Sequence, residues 1–328
     1  MTDRVEALRT DIDRAPQALT DLLEAYDAPD GPMRSLDPGW LRGRRVAFVG
    51  LGSSLFASMD AASALRANGV PALADFASTD GTPPSKDLVL VAVSASGRTR
   101  EVVDVARHHR GTSLVIAVTN MPASPLAGAA DVVLPLFAGV EASGISTLTY
   151  RATVVVLGLL AGRFGIPMAD HGDLWDTVAR LDVDSEGENL WMKRAVDAAA
   201  DLLDGAPSID VIGPAARLGA VSQAALLLRE GPRLPAHPWE TADWLHTAVY
   251  LALPGHRAVV FAGSPADGEV IDTILRRGGK VVIAGEASAE APVALDLPAG
   301  DPRLHMITQS LALDRLALEL WRRASAEG

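Results

Sequence analysis

Apolar residues occur in two kinds of segment that take turns along the chain. Short continuous runs come first: Val46 to Val49 in RRVAFVGLGSS, then DLVLVAVSASGRT (87–99), SLVIAVTN (113–120) and DVVLPL (131–136). Runs without polar alternation predict strands buried on both faces, as in a parallel sheet covered by helices. Between them, apolar positions fall at three- and four-residue spacing and predict helices from about Leu55 to Asn68, Arg100 to His109 and Ser146 to Arg163. Ahead of this block, Val5, Leu8, Ile12, Leu19, Leu22 and Leu23 mark an amphipathic helix over 3–26, interrupted near Pro16. The stretch DAPDGPMRSLDPGW (27–40) carries the Pro, Gly and Asp of a loop.

The second half repeats the order. SIDVIGPAAR (208–217) reads as strand, glycine turn and helix start, as at 44–54. HRAVVFAGSPADGEVIDTILRRGGKVVIAGE (256–286) parallels the stretch from Asp87 to Asn120 as strand, small-residue loop, helix and strand. The fold class expected is therefore α/β, with two tandem doubly wound parallel-sheet units. Residues 1–40 form an N-terminal helix and loop, 41–168 the first unit, 169–206 a helical connector broken at DVDSEGEN, and 207–328 the second unit.

Composition narrows the partners. A formal net charge of −12 argues against nucleic acid and against an anionic membrane surface, both of which need clustered cations. Cysteine is absent, which removes disulfides, thiolate metal sites and Cys nucleophiles. The histidines lack ligand spacing with carboxylates, so no metal is expected. Gly50-Leu51-Gly52 lacks the third glycine of a nucleotide fingerprint, so no cofactor is expected. The charged start MTDRVEALRTDIDRAP has no apolar signal core, and the apolar run Thr153 to Gly162 is too short to span a bilayer. A cytoplasmic protein is expected.

The candidate chemistry begins at Ser94-Ala95-Ser96-Gly97-Arg98-Thr99, where a strand should end and a helix begin. Unpaired backbone N–H groups at a helix start suit a phosphate dianion. Ser94, Ser96 and Thr99 add hydroxyls, and Gly97 lets the backbone approach closely. The bland alternative is that these residues only cap the helix.

Strand, Ser-x-Ser-Gly-x-Thr, helix is also the phosphate-binding signature of the SIS (sugar isomerase) family, and the chain resembles that family's double-SIS proteins from about residue 10 to 320. Among them it is most similar to the isomerase domain of glucosamine-6-phosphate synthase and to fructosamine-6-phosphate deglycases. Gly52-Ser53-Ser54 stands where the family has Gly-Thr-Ser, whose hydroxyls contact the sugar. Asn120, Ser124 and Leu126 match an Asn-x-x-x-Ser-x-Leu stretch. Ala138-Gly139-Val140-Glu141 and Ser146-Thr147 match Ala-Gly-x-Glu…Ser-Thr, whose serine helps to bind substrate. The resemblance further aligns Glu230 with a catalytic glutamate and His246 with a ring-opening histidine that reaches a neighbouring subunit's site. It thus implies a homodimer with His246 contributed across the interface, and a phosphorylated sugar or amino-sugar ligand. Imidazole can shuttle a proton near neutral pH, and a carboxylate can move one between C1 and C2.

Departures from the family pattern shape the expectation. The chain has three lysines, Lys86, Lys193 and Lys280, and none matches the Schiff-base lysine of the synthases. A second family lysine is Leu227 here, the phosphate-loop glutamate is Arg98, the lysine after Ser-Thr is Leu148, and Gly-Pro after the histidine is Thr247-Ala248. Glucosamine-6-phosphate synthesis is not expected. Deglycation of a fructosamine-type adduct or aldose–ketose isomerisation remains compatible. So do a phosphosugar sensor without turnover and an enzyme on an unphosphorylated sugar or cyclitol. The 231–243 segment, with Trp239 and Glu240, reads as a loop near the sugar's attached group or at a subunit contact. His237 replaces a family carboxylate, and His108 and His109 read as solvated.

Overall fold

A computed structural model describes residues 2–79, 81–166, 171–181, 186–285, 293–295 and 304–326. In chain order the elements begin with helices α1 (Thr2–Asp13), α2 (Ala15–Asp27) and α3 (Pro38–Leu41). They continue as β1 (Arg45–Gly50), α4 (Ser53–Ala67), β2 (Ala72–Phe76), β3 (Leu88–Val93), α5 (Arg100–His109), β4 (Leu114–Thr119), β5 (Val132–Pro135) and α6 (Leu148–Arg163). Next come α7 (His171–Leu181), α8 (Glu186–Leu203), β6 (Ile209–Gly213), α9 (Leu218–Glu230), β7 (Ala236–Glu240) and α10 (Thr241–Thr247). The last elements are β8 (Arg257–Phe261), α11 (Asp267–Arg276), β9 (Lys280–Ala284), β10 (Val293–Leu295) and α12 (His305–Ala326).

Two compact units result. The N-terminal unit comprises 14–141 and 146–178; the C-terminal unit comprises 1–13, 142–145 and 179–328. The single amphipathic helix expected over 3–26 is thus two helices, parted at Arg14 just before Pro16, and they belong to different units. α1 is tied to the 142–145 segment by buried Asp11, whose carboxylate accepts from the backbone of Ala142 (2.9 Å) and Ser143 (2.8 Å). The 169–206 stretch read as a connector holds α8, which packs on β8, β9, β10 and α12 as a covering helix of the C-terminal sheet. Part of its DVDSEGEN break lies outside the described residues.

Each unit is a five-stranded parallel sheet. The orders are β2-β1-β3-β4-β5 and β10-β9-β8-β6-β7, the same topology written in opposite directions. Every residue of β3 is buried, and α4 covers β1 and β2 while α5 packs on β3 and β4. Three strands escaped the sequence pattern, β2, β7 and the short β10, and all lie at sheet edges. β2 (ALADF) is half exposed, with polar Asp75 in the run. β7 (AHPWE) falls in the 231–243 segment read as loop; it carries Pro238, which a sheet tolerates only at an edge.

Candidate functional site

In a doubly wound sheet, ligands bind beyond the carboxyl ends of the strands where the winding reverses. Here that point lies between β1 and β3, since β1 leads outward to β2 while β3 leads the other way to β4 and β5. Val49 pairs with Ala92 in register, so the chain leaves the two strands side by side into Gly52-Ser53-Ser54 and Ser94–Thr99. Sequence reasoning chose both segments, and the structure brings them together.

The Ser94–Thr99 loop is shaped from below. Ser94 N–H donates to Val118 O (3.0 Å), Asn120 N–H to Ala95 O (3.0 Å) and Leu126 N–H to Gly97 O (3.1 Å). Gly97 has φ 60°, and a Cβ there would fall 2.0 Å from Ser124 Oγ and 2.9 Å from Thr119 Oγ1. Glycine is therefore required twice, by conformation and by space. Ser124 and Leu126 act as the floor of the loop. Asn120 clamps the neighbouring segment, donating to Gly139 O (2.7 Å) and accepting from Ala138 N–H (3.0 Å).

The capping alternative can now be weighed. Thr99 occupies the N-cap position of α5 but makes no side-chain cap bond; its Oγ1 pairs with Ser94 Oγ at 2.9 Å. Ser96 is exposed and takes Arg98 N–H at 3.2 Å. The N–H groups of Ala95, Ser96 and Thr99 are without a partner among the described residues. A loop of unpaired donors at the positive end of a helix is arranged to receive an anion. Next to it, Gly52 (φ 54°) caps α4, so Ser53 and Ser54 form that helix's first turn rather than a loop after it.

Ser146 lies at the start of α6, with its Oγ 2.7 Å from Thr149 Oγ1. A residue that sequence reasoning left without a role organises this end. Glu141 Oε1 accepts from Thr147 N–H (2.6 Å) and Thr149 N–H (3.1 Å), and its Oε2 accepts from Thr149 Oγ1 (2.6 Å). It caps α6 from outside the helix. Burial pushes its carboxyl above the usual range, against the hydrogen bonds that pull it down.

The C-terminal unit has the equivalent switch point between β6 and β8, and it is already filled. Asp267 Oδ2 accepts from Gly263 N–H (2.6 Å) and Ser264 N–H (2.8 Å), the donors that correspond to those of the Ser94–Thr99 loop. Arg217 lies across the same turn, donating to Ala262 O and to Gln309 Oε1 (3.1 Å). Among the described residues an internal carboxylate thus takes the donors of this turn, whereas the Ala95, Ser96 and Thr99 N–H groups have no such partner.

Glu230 and His246 belong to the C-terminal unit. Glu230 is the half-buried last residue of α9. His246 is exposed on α10, whose inward face is Thr241 and Trp244. Trp239 and Glu240 are engaged within the unit: Glu240 Oε2 caps α10 through Asp243 N–H (2.8 Å), and Trp239 Nε1 donates to Asp210 Oδ1 (3.1 Å). Asp210 also accepts from Trp244 Nε1 (2.8 Å), and His256 Nε2 approaches its Oδ2 at 3.3 Å, near enough to attract though not aligned as a hydrogen bond. Burial works to raise the Asp210 carboxyl, but His256, Trp244 and Trp239 together hold it below its usual range.

His237 is exposed, as is His108, but His109 is not solvated as its helix face suggested. It is 2% exposed with Nδ1 3.0 Å from Ser113 Oγ, and burial lowers its pKa. Among the described residues no three His, Asp or Glu side chains are grouped to hold a metal ion, and no helix is long and apolar enough to cross a membrane.

Comparison with known proteins bears on the fold. Residues 42–163 match the family model described as SIS domain. A Symbiobacterium thermophilum protein named glutamine–fructose-6-phosphate aminotransferase (isomerizing) is 30% identical over 97% of this chain, which spans 56% of that relative's length. Among solved structures, the C-terminal domain of glucosamine-fructose-6-phosphate aminotransferase from Francisella tularensis superposes with a TM-score of 0.77 at 16% identity, covering 98% of this chain and 96% of that one. Tagatose-6-phosphate ketose/aldose isomerase from Escherichia coli gives a TM-score of 0.73 at 18% identity, covering 97% and 93%.

Proposed function

We propose that this SIS-domain protein binds a sugar bearing a terminal phosphate at the switch point of its N-terminal unit and moves a proton between C1 and C2 of the opened sugar. The observation that carries the reading is the Ser94–Thr99 loop, with its unpaired N–H groups, its hydroxyls and the glycine wedge that fixes their direction. Phosphate oxygens accept from Ala95, Ser96 and Thr99 N–H and from the Ser94, Ser96 and Thr99 hydroxyls. Ser53, Ser54 and Ser146 offer hydroxyls to the sugar. Likeness to relatives named for hexose-6-phosphate chemistry supports the substrate class.

In this reading His246 of a second copy moves the proton that ring opening requires, in a homodimer. Glu230 then takes the C2 proton of the open aldose and returns it to C1 through an enediol, giving the ketose. The same two transfers serve a fructosamine adduct. Removing a C1 proton and protonating C2 turns the ketoamine into an aldose imine, which water hydrolyses to sugar phosphate and free amine. Neither route needs a lysine. A cytoplasmic setting, where sugar phosphates are made, goes with either substrate.

A sensor without turnover is the second reading, favoured by Leu227, which is 2% exposed in the core where the synthases carry a lysine. Incubation of hexose 6-phosphates in D₂O, followed by NMR, separates the two. The enzyme incorporates deuterium at C1 or C2, and Glu230→Gln lowers the rate by about 10²–10⁴-fold while binding persists. No incorporation, together with no amine released from fructosamine 6-phosphates by the unaltered protein, leaves the sensor.

A further inference from the structure

The N-terminal unit holds a second cavity, of about 420 Å³, at the opposite end of its sheet from the phosphate loop. Its walls are the turns that precede β1 and β2 and the end of α6, and three arginines, Arg42, Arg44 and Arg163, are among the residues that line it. No carboxylate is among its described lining residues. That is unusual in a chain with net charge −12, where the neighbouring Arg45 has Asp87 at 3.2 Å. The side chains of Arg42 and Arg44 make no hydrogen bond or ion pair among the described residues. Arg163 donates through Nη2 to Leu36 O at 2.5 Å, and its Nε–H is buried without a partner.

Part of this positive charge answers the fold. α4 and α6 both end at the cavity, and each C-terminus carries about half a negative charge. Together they offset roughly one of the three arginine charges, leaving about two without a counter-charge among the described residues. Guanidinium forks match phosphate oxygens in pairs, and a cavity of this size accepts a small molecule. We propose that the cavity is a binding site for a diphosphate group, free or carried on a larger molecule, separate from the phosphate loop. The two sites lie toward opposite ends of α4, whose 15 residues span about 22 Å. One small ligand cannot occupy both.

The test is isothermal titration of the full chain with inorganic pyrophosphate at constant ionic strength. The expected result is one site per chain, weakened at least tenfold in Arg42→Ala/Arg44→Ala and unchanged in Ser96→Ala/Thr99→Ala. Arg42 is exposed and Arg44 half-buried, so the double variant should melt as the unaltered protein does. If it does not, Arg42→Gln alone must still show the loss. A parallel titration with ADP distinguishes the sources: tighter binding than pyrophosphate marks a carried diphosphate, weaker binding a free one. No pyrophosphate binding, equal binding by the arginine variant, or a loss confined to the Ser96/Thr99 variant overturns the proposal.

Discussion

Replacing Asp210 by alanine should unsettle the C-terminal unit more than any other single polar change described above. The carboxylate accepts from Trp244 Nε1 at 2.8 Å and Trp239 Nε1 at 3.1 Å, and His256 Nε2 lies 3.3 Å away. A hydrogen bond to a charged acceptor contributes about 1.5–3 kcal/mol, and a buried donor left unpaired costs about 1–3 kcal/mol. Trp244 is 0% exposed, so water cannot replace the lost partner. Trp239 is only half-buried and recovers part of its loss from solvent. The sum is about 3–5 kcal/mol, the cost typical of breaking a buried polar pair from one side. At about 2–4 °C per kcal/mol for a unit of this size, the transition should fall by roughly 6–20 °C. Thermal denaturation followed by far-ultraviolet circular dichroism measures the shift, and urea denaturation the free energy. Asp210→Asn keeps one acceptor oxygen and should lose about half as much. The pH dependence follows from the depressed pKa. The carboxylate's contribution is complete above its unfolded value of about 4 and is lost as pH falls through the lower folded value. A loss below about 1 kcal/mol for Asp210→Ala would refute the reasoning, because the two indole donors would then have no need of this acceptor.

The other predictions concern the crevices and their supports. Gly97→Ala should destabilise the N-terminal unit by about 2–4 kcal/mol, combining left-handed strain with overlap on Ser124, and should abolish phosphosugar binding; calorimetry reads both. Glu141→Ala should cost about 1–2 kcal/mol in chemical denaturation, as loss of a helix cap. Because Glu141's carboxyl is raised, the unaltered protein should lose stability as pH rises from about 4.3 through the folded value, a slope that Glu141→Gln removes. Asp267→Ala should cost about 1–2 kcal/mol by freeing the Gly263 and Ser264 N–H groups, measured by the same denaturation, with hexose-phosphate affinity at the other unit unchanged.

The central strands were legible because burial on both faces forces the uninterrupted apolar runs of β1, β3, β4, β6 and β8. β2 and β7 were not, since an edge strand half open to solvent accepts Asp75, His237 and Pro238. The Ser94–Thr99 loop could be read as a strand-to-helix turn because its residue types are dictated locally: hydroxyls between a strand and a helix, and a glycine that cannot be replaced. Arg217 acts across 45 and 92 residues, whereas Glu141 and Asp267 reach a turn or helix start only three to eight residues away. The roles of those two depend on the local turn geometry, so all three required coordinates. Asp210 left a trace that could have been followed. It is the lone charge in the apolar strand IDVIG, and such a residue needs buried donors, which Trp239 and Trp244 supply.

Thermal stabilisation by hexose 6-phosphates, set against the same sugars without phosphate, tests the central claim most directly. A ligand that binds only the folded protein raises its melting temperature by mass action. The expected result is a shift confined to phosphorylated sugars and lost in Ser96→Ala/Thr99→Ala, with that variant's own melting temperature nearly unchanged. Equal shifts with and without phosphate, or a full shift in the loop variant, would contradict the assignment of Ser94–Thr99 as the phosphate site.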